Sequence, residues 1–147
     1  MSVYARYKRD PNGFRNLIEL LETTPLSRRQ KMIDIGMAED PEYTEKALKY
    51  MLTFEDVIKL PDLELAELIA TAPARMTGYA ISKATEEVRA RFLKNAVPQV
   101  AGELRDYIQV NVGLREVGGA QLKLVEITRQ LEKKGLIKTK QIPLGGA

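Results

Sequence analysis

Apolar residues recur along most of the chain at the spacing of an amphipathic helix. The first stripe consists of Phe14, Leu17, Ile18 and Leu21. These residues stand at positions i, i+3, i+4 and i+7, so they share one face of a helix. Similar stripes occur within residues 88–96, 100–108 and 124–131. The alternation of apolar and polar residues that a half-buried strand requires is weak, so the pattern predicts an all-α fold.

Helix-start signals separate these segments. Asp40 is followed by a proline and a glutamate, which supply a capping carboxylate, a fixed φ and an acid facing the helix dipole. Thr53 stands three residues before Asp56, close to a capping box, and Thr85 precedes two glutamates. Thr24 likewise offers an N-cap before a proline. The predicted helices lie near residues 13–22, 26–37, 41–52, 55–60, 62–71, 74–82, 86–96, 98–110 and 115–134.

The predicted helices are short, and short helices are marginal in isolation. They must therefore bury their apolar faces on one another. Many short helices with short connections favour either an armadillo-like superhelical stack or a compact bundle. A clean repeat of about 34–47 residues is not visible, so the pattern alone leaves both architectures open.

The amino-acid composition excludes several kinds of chemistry. The chain contains no histidine and no cysteine, which rules out disulfide scaffolds, Cys/His zinc sites and imidazole-dependent catalytic triads. Oxygen-only sites for Mg²⁺ or Ca²⁺ stay open, but the sequence has neither an acidic loop of the EF-hand kind nor a glycine-rich phosphate loop. We therefore predict a protein that is not an enzyme and has no cofactor, metal ion or small-molecule substrate.

The sequence also bears on location. An apolar run of the roughly 20 residues needed to cross a bilayer is absent from the sequence. The N-terminal residues lack the apolar core of a signal peptide, and they carry no affinity tag, which favours a natural start. We expect a cytoplasmic protein.

Charge is nearly balanced but unevenly distributed. Lysine and arginine number 23 against 20 aspartates and glutamates, which gives a net charge of +3. The excess lies in residues 111–147, with seven basic and three acidic residues. Tyrosines alternate with basic residues between Tyr4 and Arg9, as in some nucleic-acid-binding arms. A basic nucleic-acid-binding helical module is therefore an alternative, although we expect residues 1–12 to be a flexible arm and residues 139–147 a flexible tail.

Several motifs occur in the order found in one known family. They are EDPE at 39–42, MLTFEDVIKL at 51–60, KATEEV at 83–88, FLKN at 92–95 and RQLEKKGLI at 129–137. Together they resemble the family of the flagellar motor switch protein FliG, without a gap between Phe54 and Ile137. The resemblance covers about residues 13–138, which is nearly the whole chain.

This resemblance implies an all-α, armadillo-like helical superhelix made of two helical units joined by a hinge. The armadillo-like unit would span residues 13–50, and the C-terminal FliG-like domain residues 55–138. The hinge would consist of Met51, Leu52, Thr53 and Phe54. The family parts that precede this armadillo unit, including the domain that anchors the family to the membrane ring, would not be represented.

In the family, one helix of the C-terminal domain presents alternating charges to the stator. Carried over position by position, the resemblance places candidate stator-facing charges at Asp106, Arg115 and, one residue out of register, Lys83. Two further family charges fall on Gln99 and Tyr107, which are uncharged. Exposed charge pairs are individually weak but steer encounter and allow fast release. The pattern therefore suits reversible contact, and the two losses weaken it.

The resemblance implies a non-enzymatic protein-interaction module of bacterial motility and chemotaxis. Its partners would be flagellar switch-complex or stator components, or their analogues in an assembly that reused the fold. A non-flagellar adaptor is therefore a second interpretation. An armadillo unit without its stacking partner would expose an apolar face. The chain would then form a homo-oligomer, exchange this unit between copies about the hinge, or bind another partner, and the sequence leaves these alternatives open. The location would be peripheral to the inner membrane if the chain acts at a motor or a polar assembly.

Overall fold

The computed structural model describes residues 3–143, so the first two and last four residues lie outside it. Within this range the chain forms ten α-helices and no strand, which confirms the predicted all-α class. The helices are α1 (Val3–Arg9), α2 (Gly13–Thr23), α3 (Leu26–Glu39), α4 (Pro41–Tyr50), α5 (Phe54–Ile58), α6 (Asp62–Thr71), α7 (Ala74–Ile81), α8 (Glu86–Lys94), α9 (Pro98–Ile108) and α10 (Leu114–Lys133). All nine predicted helices form, with ends within one or two residues of the prediction. The armadillo-like arrangement stays a prediction.

The N-terminal segment, predicted as a flexible arm over residues 1–12, contains a helix instead. Helix α1 packs against α2, and the side chain of Tyr4 is buried. The Tyr4 hydroxyl donates a hydrogen bond to the carbonyl of Met32. A seven-residue helix is unstable on its own, so the sequence carries little local signal for it. Packing against the rest of its unit stabilises this helix.

Four N-cap residues were predicted, and three of them cap the helices that follow. Asp40, Thr53 and Thr85 each accept a hydrogen bond from the backbone N–H three residues later. Thr53 forms a complete capping box with Asp56. The prediction for Thr24 was wrong, because the residue after it occupies the N-cap position of α3. The Thr24 hydroxyl instead donates to a carbonyl in the last turn of α2.

The chain divides into two compact units, and the first contains helices α1 to α4. Of the described residues it comprises 3–52 and 138–143, so it extends beyond the predicted span of 13–50 at both ends. The four residues of the predicted α2 stripe are all buried in its core. Gly36 of α3 allows α1 to approach, because a Cβ atom there would lie only 2.6 Å from the ring of Tyr4.

Residues 139–147 were predicted to be a flexible tail, yet residues 139–143 belong to the first unit and pack within it. Ile142 is 3% exposed and belongs to the same apolar cluster as Tyr4 and Phe14. The ammonium group of Lys140 donates a hydrogen bond to the carbonyl of Met51, at 3.0 Å. Residues 144–147 of the predicted tail lie outside the described residues.

The second unit consists of Thr53–Ile137 and contains helices α5 to α10. Helix α7 packs against both α9 and α10, while α10 also contacts α5 and α6. Phe92, Leu104 and Leu124, from the stripes predicted for α8, α9 and α10, are fully buried. This packing fixes the orientation of α9 within the unit, and α9 carries one of the predicted stator-facing charges.

Candidate interaction surface

Helix α9 presents a polar face to solvent. Pro98 occupies the first helical position, where a backbone N–H would have no hydrogen-bond partner within the helix, so the N–H that proline lacks is not needed. Ala101 and Leu104 bury the opposite face, and the helix packs against α7 and α8. The exposed face bears Gln99, Glu103 and Asp106, and the exposed C-cap residue Gln109 follows them. These residues recur every three or four positions, so they form one continuous stripe along the helix.

All three predicted stator-facing charges are exposed. Asp106 lies in the last turn of α9, Arg115 in the first turn of α10, and Lys83 in the connection that follows α7. Within the described residues, none of the three forms an ion pair with another side chain. Their charges are therefore available to a partner.

Helix α7 brings the elements that carry these charges together. The ring of Tyr79 meets that of Tyr107 on α9 edge to face, with the centroids 5.9 Å apart and the planes at 88°. The amide of Gln121 on α10 donates to the carbonyl of Ala80 at 3.0 Å. The C-terminal half of α7 thus contacts both other helices, and Lys83 follows shortly after α7 ends. The charges come from three neighbouring elements of the second unit.

The two positions that interrupt the predicted charge pattern have different surroundings. Gln99 is exposed in the first turn of α9. Tyr107 is half-buried. It lies so close to Gly78 of α7 that a Cβ atom added to this glycine would be only 2.5 Å from the Cβ atom of Tyr107. Position 107 therefore contributes packing against α7, whereas position 99 is an ordinary surface position.

Glu103 is an exposed acid that the sequence analysis did not single out. It lies one turn before Asp106 on the same face of α9. The spacing of three residues in the sequence could have indicated that Glu103 and Asp106 share a face, because residues i and i+3 of a helix are neighbours. The exposed stripe therefore carries two carboxylates rather than one.

The four predicted hinge residues straddle the division between the two units, which falls between Leu52 and Thr53. Met51 is half-buried and packs on the apolar cluster of the first unit, and Leu52 is fully buried. Thr53 caps α5, and Phe54 is its first residue. Motion at this hinge stays a prediction.

A buried carboxylate, also missed by the sequence analysis, contacts the hinge. Glu22 is 1% exposed, and its Oε2 accepts a hydrogen bond from the backbone N–H of Leu52 at 2.7 Å. Arg29 donates to the carbonyls of Leu21 and Glu22 at 2.7 and 2.9 Å. Burial lowers the pKa of the Arg29 guanidinium below its ordinary value, and the charge of Glu22 opposes that shift. Glu22 stands four residues after Ile18, so its position on the apolar stripe was the available signal.

Other candidate sites are sparse in residues 3–143. That range contains no group of three or more acidic residues arranged to hold a metal ion. A shallow groove of the second unit has Arg89, Leu93, Arg105 and Ile108 among its lining residues. Over the same range, every helix is either too short or too polar to cross a membrane.

Comparison with known sequences shows which proteins this chain resembles. The family model of the FliG C-terminal domain matches residues 37–138. The flagellar motor switch protein FliG of Thermotoga maritima is 28% identical over 127 residues, which cover 85% of this chain and 38% of that protein. The Helicobacter pylori FliG is 26% identical over 137 residues, covering 90% and 39%. The chain thus spans less than half the length of these curated relatives.

Comparison with solved structures supports the same fold. A crystal structure of a FliG fragment from H. pylori aligns with a TM-score of 0.65 at 24% identity, covering 86% of this chain and 60% of that chain. Full-length FliG from Aquifex aeolicus aligns with a TM-score of 0.54 at 27% identity, covering 84% and 39%. Because the family model matches well over half of the chain, the predicted resemblance is confirmed, and the chain belongs to the FliG C-terminal domain family.

Proposed function

We propose that this protein is a non-enzymatic interaction module that docks onto a component of the flagellar switch complex or the stator. Family membership supports this proposal, since the curated relatives are named flagellar motor switch proteins. The proposed docking surface consists of Asp106, Arg115 and Lys83, with Glu103 as an additional acid. Two parts of the proposal, the hinge at Met51–Phe54 and a location at the inner membrane beside a motor, follow from the same family relationship.

The observation that carries the proposal is the exposure of Asp106, Arg115 and Lys83 without an ionic partner inside the described chain. Some other charges of the second unit are paired, as between Arg91 and Asp62 at 3.0 Å. A surface with unpaired charges of both signs fits a partner with a complementary pattern. Such contacts are weak, salt-sensitive and quickly broken, which suits repeated engagement.

The nucleic-acid alternative is less well supported. Its N-terminal element needs exposed aromatic rings for stacking, but Tyr4 is buried. Lys8 forms an ion pair with Asp40 at 2.9 Å, so this base is already engaged. A non-flagellar adaptor would use the same surface with another partner, so it becomes an outcome of the test.

The test is a pull-down from the native cell with the tagged full chain, followed by mass spectrometry. We expect the wild-type chain to recover switch-complex or stator proteins. Asp106→Lys and Arg115→Glu should each reduce that recovery, because they place like charges against the partner. Glu45→Lys reverses an exposed acid on α4 of the first unit and serves as the matched control, with recovery unchanged.

Two results would contradict the proposal. Equal recovery of motor proteins by the wild type and by both charge reversals would show that the α9 and α10 charges do not form the docking surface. Recovery of other assemblies only, with no motor component, would replace the motor role by the adaptor interpretation. Raising the salt concentration should weaken the wild-type interaction and leave the residual binding of the reversed variants less affected.

A further inference from the structure

Residues 139–143, the last described residues, lie beyond the part of the chain that the family model matches. The family model ends at residue 138, and residues 138–143 belong to the first unit. Ile142 is buried in the apolar cluster of that unit, next to residues of α1, α2 and α4. The second unit is therefore followed by a short segment that returns to the first one.

Lys140 gives this segment a specific contact. Its backbone has a φ of 50°, in the left-handed region that non-glycine residues seldom adopt. Its Nζ donates a hydrogen bond to the carbonyl of Met51, 89 positions earlier in the chain, at 3.0 Å. A hydrogen bond from a charged donor is stronger than one between neutral groups.

The contact involves the peptide bond at the start of the predicted hinge. The carbonyl of Met51 and the N–H of Leu52 belong to one peptide group, and both are bonded. Lys140 donates to the carbonyl, while the buried carboxylate of Glu22 accepts from the N–H at 2.7 Å. This peptide group is thus fixed by one side chain from α2 and one from the segment after α10.

We propose that residues 138–143 form a strap that restrains the hinge. The second unit begins at Thr53 and ends at Ile137, and each end continues directly into residues of the first unit. While the strap is bound, the first unit holds the chain just before it enters the second unit, at Met51 and Leu52, and just after it leaves, at Lys140 and Ile142. When Ile142 and Lys140 detach, the second unit stays tethered through the hinge alone, and the Met51–Leu52 peptide loses one of its two bonds. This inference depends on the hinge that is part of the proposed function, but it does not depend on which partner the protein binds.

The test measures the distance between the two units in the isolated full chain. The protein has no cysteine, so Glu45→Cys on α4 and Glu87→Cys on α8, both at exposed positions, accept one spin label each. Pulsed electron resonance then gives the distribution of label distances. Lys140→Met keeps the length and apolar stem of the side chain but removes the donor. Ile142→Ala removes the apolar anchor, and Gln141→Ala changes an exposed residue between them.

We expect the distributions for Lys140→Met and Ile142→Ala to be broader than that of the wild type, and the distribution for Gln141→Ala to match the wild type. Loss of one charge-assisted hydrogen bond should raise the detached population by roughly tenfold. Circular dichroism checks that helix content is unchanged. If Ile142→Ala unfolds the first unit, the test rests on Lys140→Met. Because Lys140 is only half-buried, we expect this substitution to leave the first unit folded.

Unchanged distributions in both strap variants would overturn the proposal. A further variant with two glycines inserted between Leu52 and Thr53 identifies the reason. If that insertion broadens the distribution while the strap variants do not, the strap is wrong and the hinge stands. If a broadened distribution appears in none of the variants, the hinge fails together with the strap, whereas docking through Asp106 and Arg115 is still decided by the pull-down.

Discussion

The close approach of α7 and α9 at Gly78 predicts a large effect for a small substitution. In Gly78→Ala, the added Cβ would lie 2.5 Å from the Cβ of Tyr107 and 3.4 Å from the backbone nitrogen of Ile108. Carbon atoms in contact are normally about 3.5–4.0 Å apart, so the two helices must separate by about 1 Å. Because the obstructing atom is a Cβ, no side-chain rotation relieves the clash.

The change in the free energy of unfolding of Gly78→Ala is the sum of two opposing effects. Overpacking costs about 1–3 kcal/mol, and a contact this short belongs at the upper end. The higher helix propensity of alanine returns about 0.5–1 kcal/mol. We therefore expect Gly78→Ala to lower the free energy of unfolding by about 2 kcal/mol.

The assay is urea unfolding followed by circular dichroism, with hydrogen exchange of the α9 amides to report on the second unit separately. The matched control is Gly102→Ala on α9, where an added Cβ would meet no atom within 4 Å. That variant should gain about 0.5–1 kcal/mol. If Gly78→Ala were as stable as the wild type, with unchanged α9 protection, the inferred contact between α7 and α9 would be refuted.

Two further predictions concern individual charged residues. Arg91→Met removes the donor to the carbonyls of Ile58 and Leu60 and the partner of Asp62, so we expect a loss of about 1.5–3 kcal/mol in urea unfolding. A loss no greater than that of Arg75→Met, whose exposed side chain only stacks on the Tyr79 ring, would contradict this. The bonds from Lys8 and the Tyr43 N–H hold the pKa of Asp40 below its ordinary 3.8, so this carboxylate stabilises the fold above that pH and loses its contribution as the pH falls through the lowered pKa. When the pH is lowered below about 4, Asp40→Asn should therefore lose less stability than the wild type does. If thermal unfolding shows the same loss for both proteins, this prediction is wrong.

Most helices of this chain were predictable because their signals are local. A cap such as Asp40 or Thr53 acts on a backbone group three residues away, and an apolar stripe repeats within one or two turns. Helix α1 and the segment after α10 depend on distant partners instead. Tyr4 bonds to Met32, 28 positions away, and Lys140 to Met51, 89 positions away. Contacts between residues so far apart produce no periodic pattern in the sequence. Both segments were therefore predicted to be flexible.

The candidate site was predictable to a smaller extent. Family position alone indicated Asp106, Arg115 and Lys83, and their docking role stays a prediction. The spacing of Glu103 from Asp106 was available in the sequence but became meaningful only once the exposed face of α9 was defined. Glu22 was ambiguous for a different reason, because a glutamate at the edge of an apolar stripe is usually solvated. Only the structure shows that it is buried and bonded to the hinge.

The surroundings of Tyr107 distinguish it from Gln99, the other position at which the charge pattern is interrupted. A carboxylate at position 107 would lie half-buried, where the Tyr107 ring now packs on Tyr79. It would lose hydration, and the aromatic contact with Tyr79 would be lost as well. Gln99 has no such constraint, because its side chain is exposed and a charge there would remain in water. The two departures are therefore not equivalent, since the one at position 107 is tied to the packing of α9 on α7 and the one at position 99 is not.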